Sequence, residues 1–177
     1  QSLRHTWRCH EGNLVRAFRA LQDAGRLEVI TSTATHAFFP LLDRHWTAMR
    51  AQVHTAADLY ERHFGRRPRG MWLGECGYVP GCDELLREAG IRYFVADTHA
   101  LIFGDRPPAY GVHAPVYCPT GVAAFGRDTE SSQQVWSAKE GYPGDPQYRD
   151  FYRDIGFDLP MDYVGPHVHP DGIRMYT

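Results

Sequence analysis

Three acidic residues each follow a short apolar segment of the kind that forms a buried strand. Glu75 follows MWLG, Asp97 ends IRYFVAD, and Asp128 follows VAAFGR. The carboxyl ends of parallel strands meet at one edge of a sheet, about 4.8 Å apart, and α/β proteins bind their substrates there. Two carboxylates flanking a glycosidic bond are the recurrent apparatus of sugar cleavage. The pattern therefore indicates a carbohydrate-processing site at this edge.

Each carboxylate also has a structural interpretation. Glu75 can cap the following helix or pair with a nearby arginine. Asp97 and Asp128 can cap helices or pair with Arg92 and Arg127. Position in the sequence alone leaves both interpretations open for all three carboxylates.

Histidines supply two further candidate groups. His36 follows the LEVI segment, so we expect it on the same edge as Glu75, hydrogen-bonded to a sugar hydroxyl or holding the carboxylate ionised. His167 and His169 alternate in HVH and, with Cys76 or Asp171, are a conceivable zinc-ligand set. That spacing is unspecific and prolines flank the pair, so we predict neither a metal nor a cofactor.

Aromatic side chains are the third candidate group. Trp136 lies in a polar, irregular segment, where it either plugs the core under a loop or offers a stacking platform for a pyranose ring. Tyr78 and Tyr142 pose the same question. Trp72 precedes Glu75 by three residues, so alternation along a strand predicts that it points to the opposite face, into the core.

Composition limits the class of protein. The 177 residues are enough for one domain with a sizeable core. Nineteen basic and 21 acidic residues give a net charge of −2, which gives no electrostatic case for a nucleic-acid or membrane partner. No apolar run approaches the ~20 residues of a membrane span. The four cysteines contain no CxxC pair, which favours free thiols in the cytoplasm.

The elements that must position these residues follow from periodicity. Helices are predicted from Glu11 to Ala24, Pro40 to Phe64 and Cys82 to Ala89. Strands are predicted at LEVI, before Glu75 and over IRYFVAD. This alternation is typical of an α/β fold with a parallel sheet.

The second half of the chain has a different texture. Residues 104 to 121 are rich in Pro and Gly, with short strand-like pieces at GVHAPVYC and GVAAFGRD. We predict irregular structure from 129 to 146, a helix from 146 to 155, and a loop-like tail with one possible strand. A long irregular region inside a domain is usually functional.

Three segments together carry a family resemblance. ITSTATHAFFPL, WLGECGY and the long block FGRDTESSQQVWSAKEGYPGDPQYRDFYRDIGFDL resemble the motifs of glycoside hydrolase family 57, especially its 1,4-α-glucan branching enzymes. The resemblance covers nearly the whole chain. It implies a partial distorted (β/α)7 barrel, and it implies an α-1,4-glucan as substrate.

The resemblance also implies roles for individual residues. Glu75 would be the catalytic nucleophile, His36 would contact the sugar beside it, and Trp136 would line a donor or acceptor subsite. Gly74 stands where the motif often has Pro or Ala, which leaves the carboxylate in place. The further residues expected around the sugar are Arg127, Asp128, Cys76, Tyr78 and Asp97.

Two motifs of the family are absent from this chain. One is an HQP-like motif on the first strand, and the other is a later YDxELFGHWW-like segment that bears the general acid. We therefore expect residues 1–177 to be the central part of a longer catalytic module, with the remaining barrel strands supplied by other segments. General acid help is typically worth 10²–10⁴-fold, so the chain alone is expected to be a poor catalyst.

Three alternative functions remain at this stage. A 4-α-glucanotransferase or amylase of the same family differs only in the acceptor. A non-catalytic glucan-binding protein would use Trp136 and the tyrosines. A metal-dependent carbohydrate deacetylase would need His and Asp ligands at strand ends, and the HVH pair is the one hint of these.

Overall fold

The computed structural model describes residues 2–145 together with Pro160 and Asp162. The chain divides into two compact units, residues 1–127 and 128–177. The helix predicted from 146 to 155, the tail and the histidines of HVH lie outside the described residues. Among the residues that are described, no helix is both long and apolar enough to cross a bilayer.

The first unit is organised around a mostly parallel sheet. Its strands, in the order β1–β2–β3–β5–β4 across the sheet, are β1 (Thr31–Ser32), β2 (Gly70–Trp72), β3 (Tyr93–Ala96), β5 (Ala123–Gly126) and β4 (Val116–Tyr117). The pairs β1–β2, β2–β3 and β3–β5 are parallel. Strand β4, at the edge of the sheet, is antiparallel to β5. The predicted α/β class with parallel strands is confirmed.

Helices connect these strands. Those of the first unit are α1 (Ser2–Cys9), α2 (Leu14–Asp23), α3 (Trp46–Phe64), α4 (Cys82–Glu88) and α5 (Thr98–Ile102). In the second unit α6 spans Thr129–Trp136. Short 3₁₀ turns occur at Phe39–Leu42, Gly74–Cys76 and Tyr142–Gly144.

One face of the sheet forms the core. Met71 of β2 and Phe94 of β3 lie opposite each other in the register and are fully or almost fully buried. They belong to one buried cluster with Met49 and Val53 of α3 and Leu86 of α4. Each such side chain contributes roughly 1.5–3 kcal/mol on burial, so this face fixes the positions of the strand ends.

The first predicted strand is displaced along the chain. Strand β1 spans Thr31–Ser32 rather than LEVI at 27 to 30. The backbone of Val29 is bonded to side chains instead: its N–H donates to Gln22, and its carbonyl accepts from the Tyr60 hydroxyl. These contacts come from distant residues, so local β-propensity could not reveal them.

The second predicted helix begins later than its apolar pattern suggests. Helix α3 starts at Trp46, and Phe39–Leu42 forms a separate 3₁₀ turn. His45, at the start of α3, has non-helical φ/ψ angles of −122° and 57°, which interrupts the helix. Leu41, which lies within the predicted helix, is 78% exposed.

The sequence predicted irregular structure from 129 to 146, but part of this region is helical. It contains the eight-residue helix α6, whose first turn is capped by Asp128. None of the α6 residues is buried, so the helix lacks the apolar stripe on which periodicity depends.

The other two predicted helices are confirmed with small shifts. Helix α2 begins at Leu14, because the Asn13 side chain accepts from the backbone N–H of Arg16 at its start. It ends at Asp23, just before Gly25 with φ of 67°. Helix α4 begins at Cys82 as predicted and ends at Glu88, one residue early.

Candidate active site

A strained turn presents Glu75 immediately after β2. The strand ends at Trp72, and the 3₁₀ turn Gly74–Cys76 follows it. Glu75 and Cys76 have φ of 49° and 56°, in the left-handed region that costs a non-glycine residue about 1 kcal/mol or more. Hydrogen bonds from Cys76 N to Leu73 O (2.8 Å) and from Gly77 N to Gly74 O (3.0 Å) hold the turn. It leaves the Glu75 side chain 79% exposed.

Gly74 allows another loop to lie directly against this turn. A Cβ atom at position 74 would lie 2.4 Å from the carbonyl oxygen of Ala37 and 2.7 Å from that of His36. The two segments are therefore in contact backbone to backbone. An alanine or proline at this position, as the resembling motifs often have, would require one segment to move.

His36 is held beside Glu75 by that contact. Its Nε2 lies 3.3 Å from Glu75 Oε1, and its Nδ1 lies 3.1 Å from the hydroxyl oxygen of Ser32, the last residue of β1. A neutral imidazole that donates from Nε2 to the carboxylate accepts from Ser32 at Nδ1. The predicted juxtaposition of His36 and Glu75 is thus present, and Ser32 orients the ring.

A second group of charged residues follows β3 and β5. Asp97 Oδ1 lies 2.9 Å from His99 Nδ1, and Asp97 Oδ2 lies 4.0 Å from Arg127 Nη1. The Arg127 guanidinium lies over the Trp72 ring, 5.8 Å from its centroid. The structural interpretation of Asp97 as an ion-pair partner of Arg127 is therefore correct.

Trp72 is not in the core. It is only partly buried and lies under Arg127. The alternation argument failed because Glu75 belongs to a 3₁₀ turn, so the two residues are not on one regular strand.

Cys76 is buried directly after Glu75. Burial raises the pKa of its thiol, and the Arg127 charge partly offsets this. The side chain is therefore a neutral thiol at pH 7. Among residues 2–145, no cluster of three or more His, Cys, Asp or Glu side chains is placed to hold a metal ion.

Tyr78 lies next to the core. Its ring stacks on Phe94 at 5.4 Å, and its hydroxyl lies 3.4 Å from Asp83 Oδ1. Burial, with the nearby Asp83 charge, raises the pKa of the phenol. These contacts pack Tyr78 against the core residue Phe94 of β3. Contact between Tyr78 and a sugar stays a prediction.

The second unit holds the remaining candidates. Asp128 Oδ1 accepts from the backbone N–H of Ser131 at 2.8 Å, so the helix-cap interpretation of Asp128 is correct. Trp136, the last residue of α6, is 73% exposed. Its ring therefore does not plug the core, and it is accessible to a ligand.

Ser32 and His99 are site residues that sequence reasoning missed. Ser32 contacts His36 through the loop after β1, and His99, in the first turn of α5, contacts Asp97 just before that helix. A polar residue four positions before a candidate histidine is the one signal that pointed to Ser32.

The family follows from comparison of the chain with known proteins. The model of glycosyl hydrolase family 57 matches residues 2–157. The chain belongs to this family. Its parallel strands are accordingly part of the predicted (β/α)7 barrel.

Curated relatives in this family are similar over most of this chain. A 1,4-alpha-glucan branching enzyme of Thermococcus kodakarensis is 38% identical over an alignment of 176 positions that covers 83% of this chain and 26% of the relative. A probable 1,4-alpha-glucan branching enzyme of Mycobacterium tuberculosis is also 38% identical, over 91% of this chain and 31% of its own length. The chain thus spans less than a third of these relatives.

Solved structures agree with this placement. The alpha-amylase AmyC of Thermotoga maritima superimposes with a TM-score of 0.84 at 47% identity, over 98% of this chain and 33% of that one. A branching enzyme of this family from Pyrococcus horikoshii gives 0.77 at 40% identity, over 86% and 31%.

Proposed function

We propose that this chain is the central, nucleophile-bearing part of a family 57 1,4-α-glucan branching enzyme. The observation that carries the proposal is Glu75, an exposed carboxylate on a strained turn with His36 at 3.3 Å. The 38% identical relatives, a branching enzyme and a probable branching enzyme, support the choice of reaction.

The reaction proceeds by two displacements. Glu75 attacks the anomeric carbon of a glucose unit, the α-1,4 bond breaks, and the leaving oxygen takes a proton from a general acid. A 6-hydroxyl of an acceptor chain then attacks the same carbon, gives its proton to the conjugate base and releases Glu75. Configuration is retained, and the product carries an α-1,6 branch.

The proton donor is proposed to lie outside residues 1–177. Asp97 is engaged with His99 and Arg127, and Asp128 caps α6. In these contacts both carboxylates act as acceptors, whereas a general acid must donate. The family resemblance likewise implies an aspartate from a later segment.

The remaining site residues have proposed supporting roles. Arg127 and Asp97, together with the buried Cys76, form part of the wall of the sugar site. The exposed ring of Trp136 is a stacking surface for glucose units. We place the enzyme in glycogen-type biosynthesis in the cytoplasm, in keeping with its four free cysteines.

The test combines intact mass with an amylose–iodine assay on the same purified sample. Branching lowers the iodine colour without releasing reducing ends. A sample much heavier than 20.2 kDa should branch amylose, and one of 20.2 kDa should not. In an active sample Glu75→Gln should lower the rate at least 100-fold, whereas Glu84→Gln, an exposed glutamate on α4, should leave it unchanged. Branching at 20.2 kDa would contradict the placement of the general acid.

Hydrolysis is the second candidate reaction, because the 47% identical Thermotoga maritima relative is an alpha-amylase. An amylase would release reducing ends in step with the loss of iodine colour. A glucan-binding protein without activity would bind to amylose and change neither signal.

A further inference from the structure

A cavity of about 470 Å³ lies at the opposite end of β2 from Glu75. It is formed by the end of α2, the segment 25–29, and the turn that precedes β2. Its charged lining consists of four arginines and a single glutamate: Arg26, Arg66, Arg67, Arg69 and Glu28. We call this cavity the arginine cavity. Nothing in the proposed glucan reaction uses it.

The wall of the arginine cavity contains a buried donor that lacks an acceptor. Gln22 is 7% exposed, and its Oε1 accepts from Val29 N–H (2.9 Å) and lies 2.8 Å from the hydroxyl oxygen of Tyr60. Because Val29 N–H can only donate, Oε1 must face it, and this fixes the orientation of the amide. Nε2 is then left buried without a hydrogen-bond partner among the described residues. A buried unpaired donor is costly, so a ligand whose acceptor reaches Nε2 would recover that free energy.

Arg26 adds an uncompensated positive charge. Its side chain is exposed at the cavity and forms no ion pair with any residue in the described part of the chain. Negatively charged ligand groups are attracted to such a guanidinium without first displacing a carboxylate.

The other three arginines are only partly occupied by carboxylates. A guanidinium has five N–H donors, so one or two carboxylate contacts leave others available. The pairs are Arg66 with Asp23, Arg67 with Asp58 and Glu61, and Arg69 with Glu28. Arg19 shares Asp23 with Arg66, so these paired arginines and carboxylates balance in charge, and the excess positive charge at the cavity is that of Arg26.

We propose that the arginine cavity binds the phosphate group of a small phosphorylated organic molecule. Guanidinium groups match phosphate oxygens in charge and in planar geometry, and the Gln22 amide adds a neutral donor. A phosphate carries more charge and more acceptor oxygens than a carboxylate, so it can accept hydrogen bonds from several donors at once. The apolar wall near Leu27 and the Tyr60 ring suits the organic part, and the volume is in the range of small-molecule sites.

The test is isothermal titration of the chain with inorganic phosphate and, separately, with a hexose phosphate at low ionic strength. We expect one saturable site, with tighter binding of the hexose phosphate and weaker binding as salt increases. Arg26→Gln should lower the affinity at least tenfold, and this exposed change should not affect folding. Gln22→Glu keeps the acceptor for Val29 and replaces the buried donor by a negative group, so it should abolish binding.

Two controls separate this site from general charge and from catalysis. Arg62→Gln removes an exposed arginine of α3 that has no ion pair among the described residues and lies outside the cavity lining, so the affinity should be unchanged. Glu75→Gln should also leave phosphate binding unchanged, whatever its effect on glucan chemistry. Absence of saturable binding, or affinities within twofold of the unaltered chain for both Arg26→Gln and Gln22→Glu, would overturn the proposal. Equal affinity for inorganic phosphate and for the hexose phosphate would overturn the claim that the cavity also contacts the organic part of the ligand.

Discussion

At the scale of single residues, the reactive carboxylate of Glu75 is contacted by His36 on the loop after β1, and His36 is in turn bonded to Ser32 at the end of β1. The His36 ring would have two free orientations without Ser32, which bonds Nδ1 and so directs Nε2 to Glu75. The juxtaposition of His36 and Glu75 could be predicted from sequence, because both follow strands of one parallel sheet. The contributions of Ser32 and His99 could not, because apolar periodicity does not indicate which polar side chains contact each other.

Ser32 provides a test of this positioning. In an active sample, Ser32→Ala should lower the branching rate roughly three- to tenfold, since one net hydrogen bond is worth about 0.5–1.5 kcal/mol. Ser32→Thr keeps the hydroxyl and should restore most of the rate. The iodine assay compares the two variants, and equal losses in both would show that bulk in β1, not the hydroxyl, matters.

At the scale of elements, the segments that sequence placed well are those whose own residues decide the structure. The strand before Glu75, the strand over IRYFVAD and helix α4 each begin at or directly after a glycine, and each places apolar side chains in the core. Strand β1 was misplaced because Gln22 and Tyr60, from two helices, take the hydrogen bonds of the LEVI backbone. Local pattern cannot report such long-range competition.

The contact between the Glu75 turn and the His36 loop is one of these long-range features. Gly74→Ala should lower the free energy of unfolding by about 1–3 kcal/mol, because the new Cβ would lie 2.4 Å from a backbone oxygen. Gly104→Ala is the matched control, since its Cβ has no contact closer than 3.6 Å and φ is not in the left-handed region. Urea titration measures both. A loss of less than 0.5 kcal/mol for Gly74→Ala, as for an ordinary surface change, would contradict this packing.

The buried thiol of Cys82 in helix α4 should make the free energy of unfolding depend on pH in the alkaline range. Burial of Cys82 raises the pKa of its thiol to about 12 from 9.0. Above pH 9 the unfolded chain loses this proton while the folded chain keeps it, so stability present below pH 9 is lost as pH rises towards 12. Cys82→Ala should flatten the decline in unfolding free energy between pH 9 and 10.5. Cys9→Ala, at an exposed thiol, should leave the slope unchanged, and an unchanged slope for Cys82→Ala would refute the assignment.

At the scale of the whole chain, apolar side chains are left exposed on otherwise regular elements. Leu14, Val15, Phe18 and Leu21 of α2 are 38–50% exposed, although their helical spacing is that of a core-facing stripe. On the open face of the sheet, Phe125 contacts Tyr93 edge to face and is 43% exposed. The curated relatives are about three to four times as long as the matched segment, and we expect such surfaces to be covered in a longer module.

This expectation is testable on the 20.2 kDa chain by itself. The chain should enhance the fluorescence of a hydrophobic dye and should associate as its concentration increases, because contiguous apolar surface is removed from water on contact. Phe18→Gln should weaken both signals, since it interrupts the α2 stripe. Leu41→Gln is the control: this leucine is 78% exposed but lies outside that stripe, so its loss should change little. Equal effects of the two variants would show that exposure of single side chains, rather than a face prepared for further segments, accounts for the dye signal. An effect confined to Phe18→Gln would identify α2 as one of the surfaces on which the longer module is built.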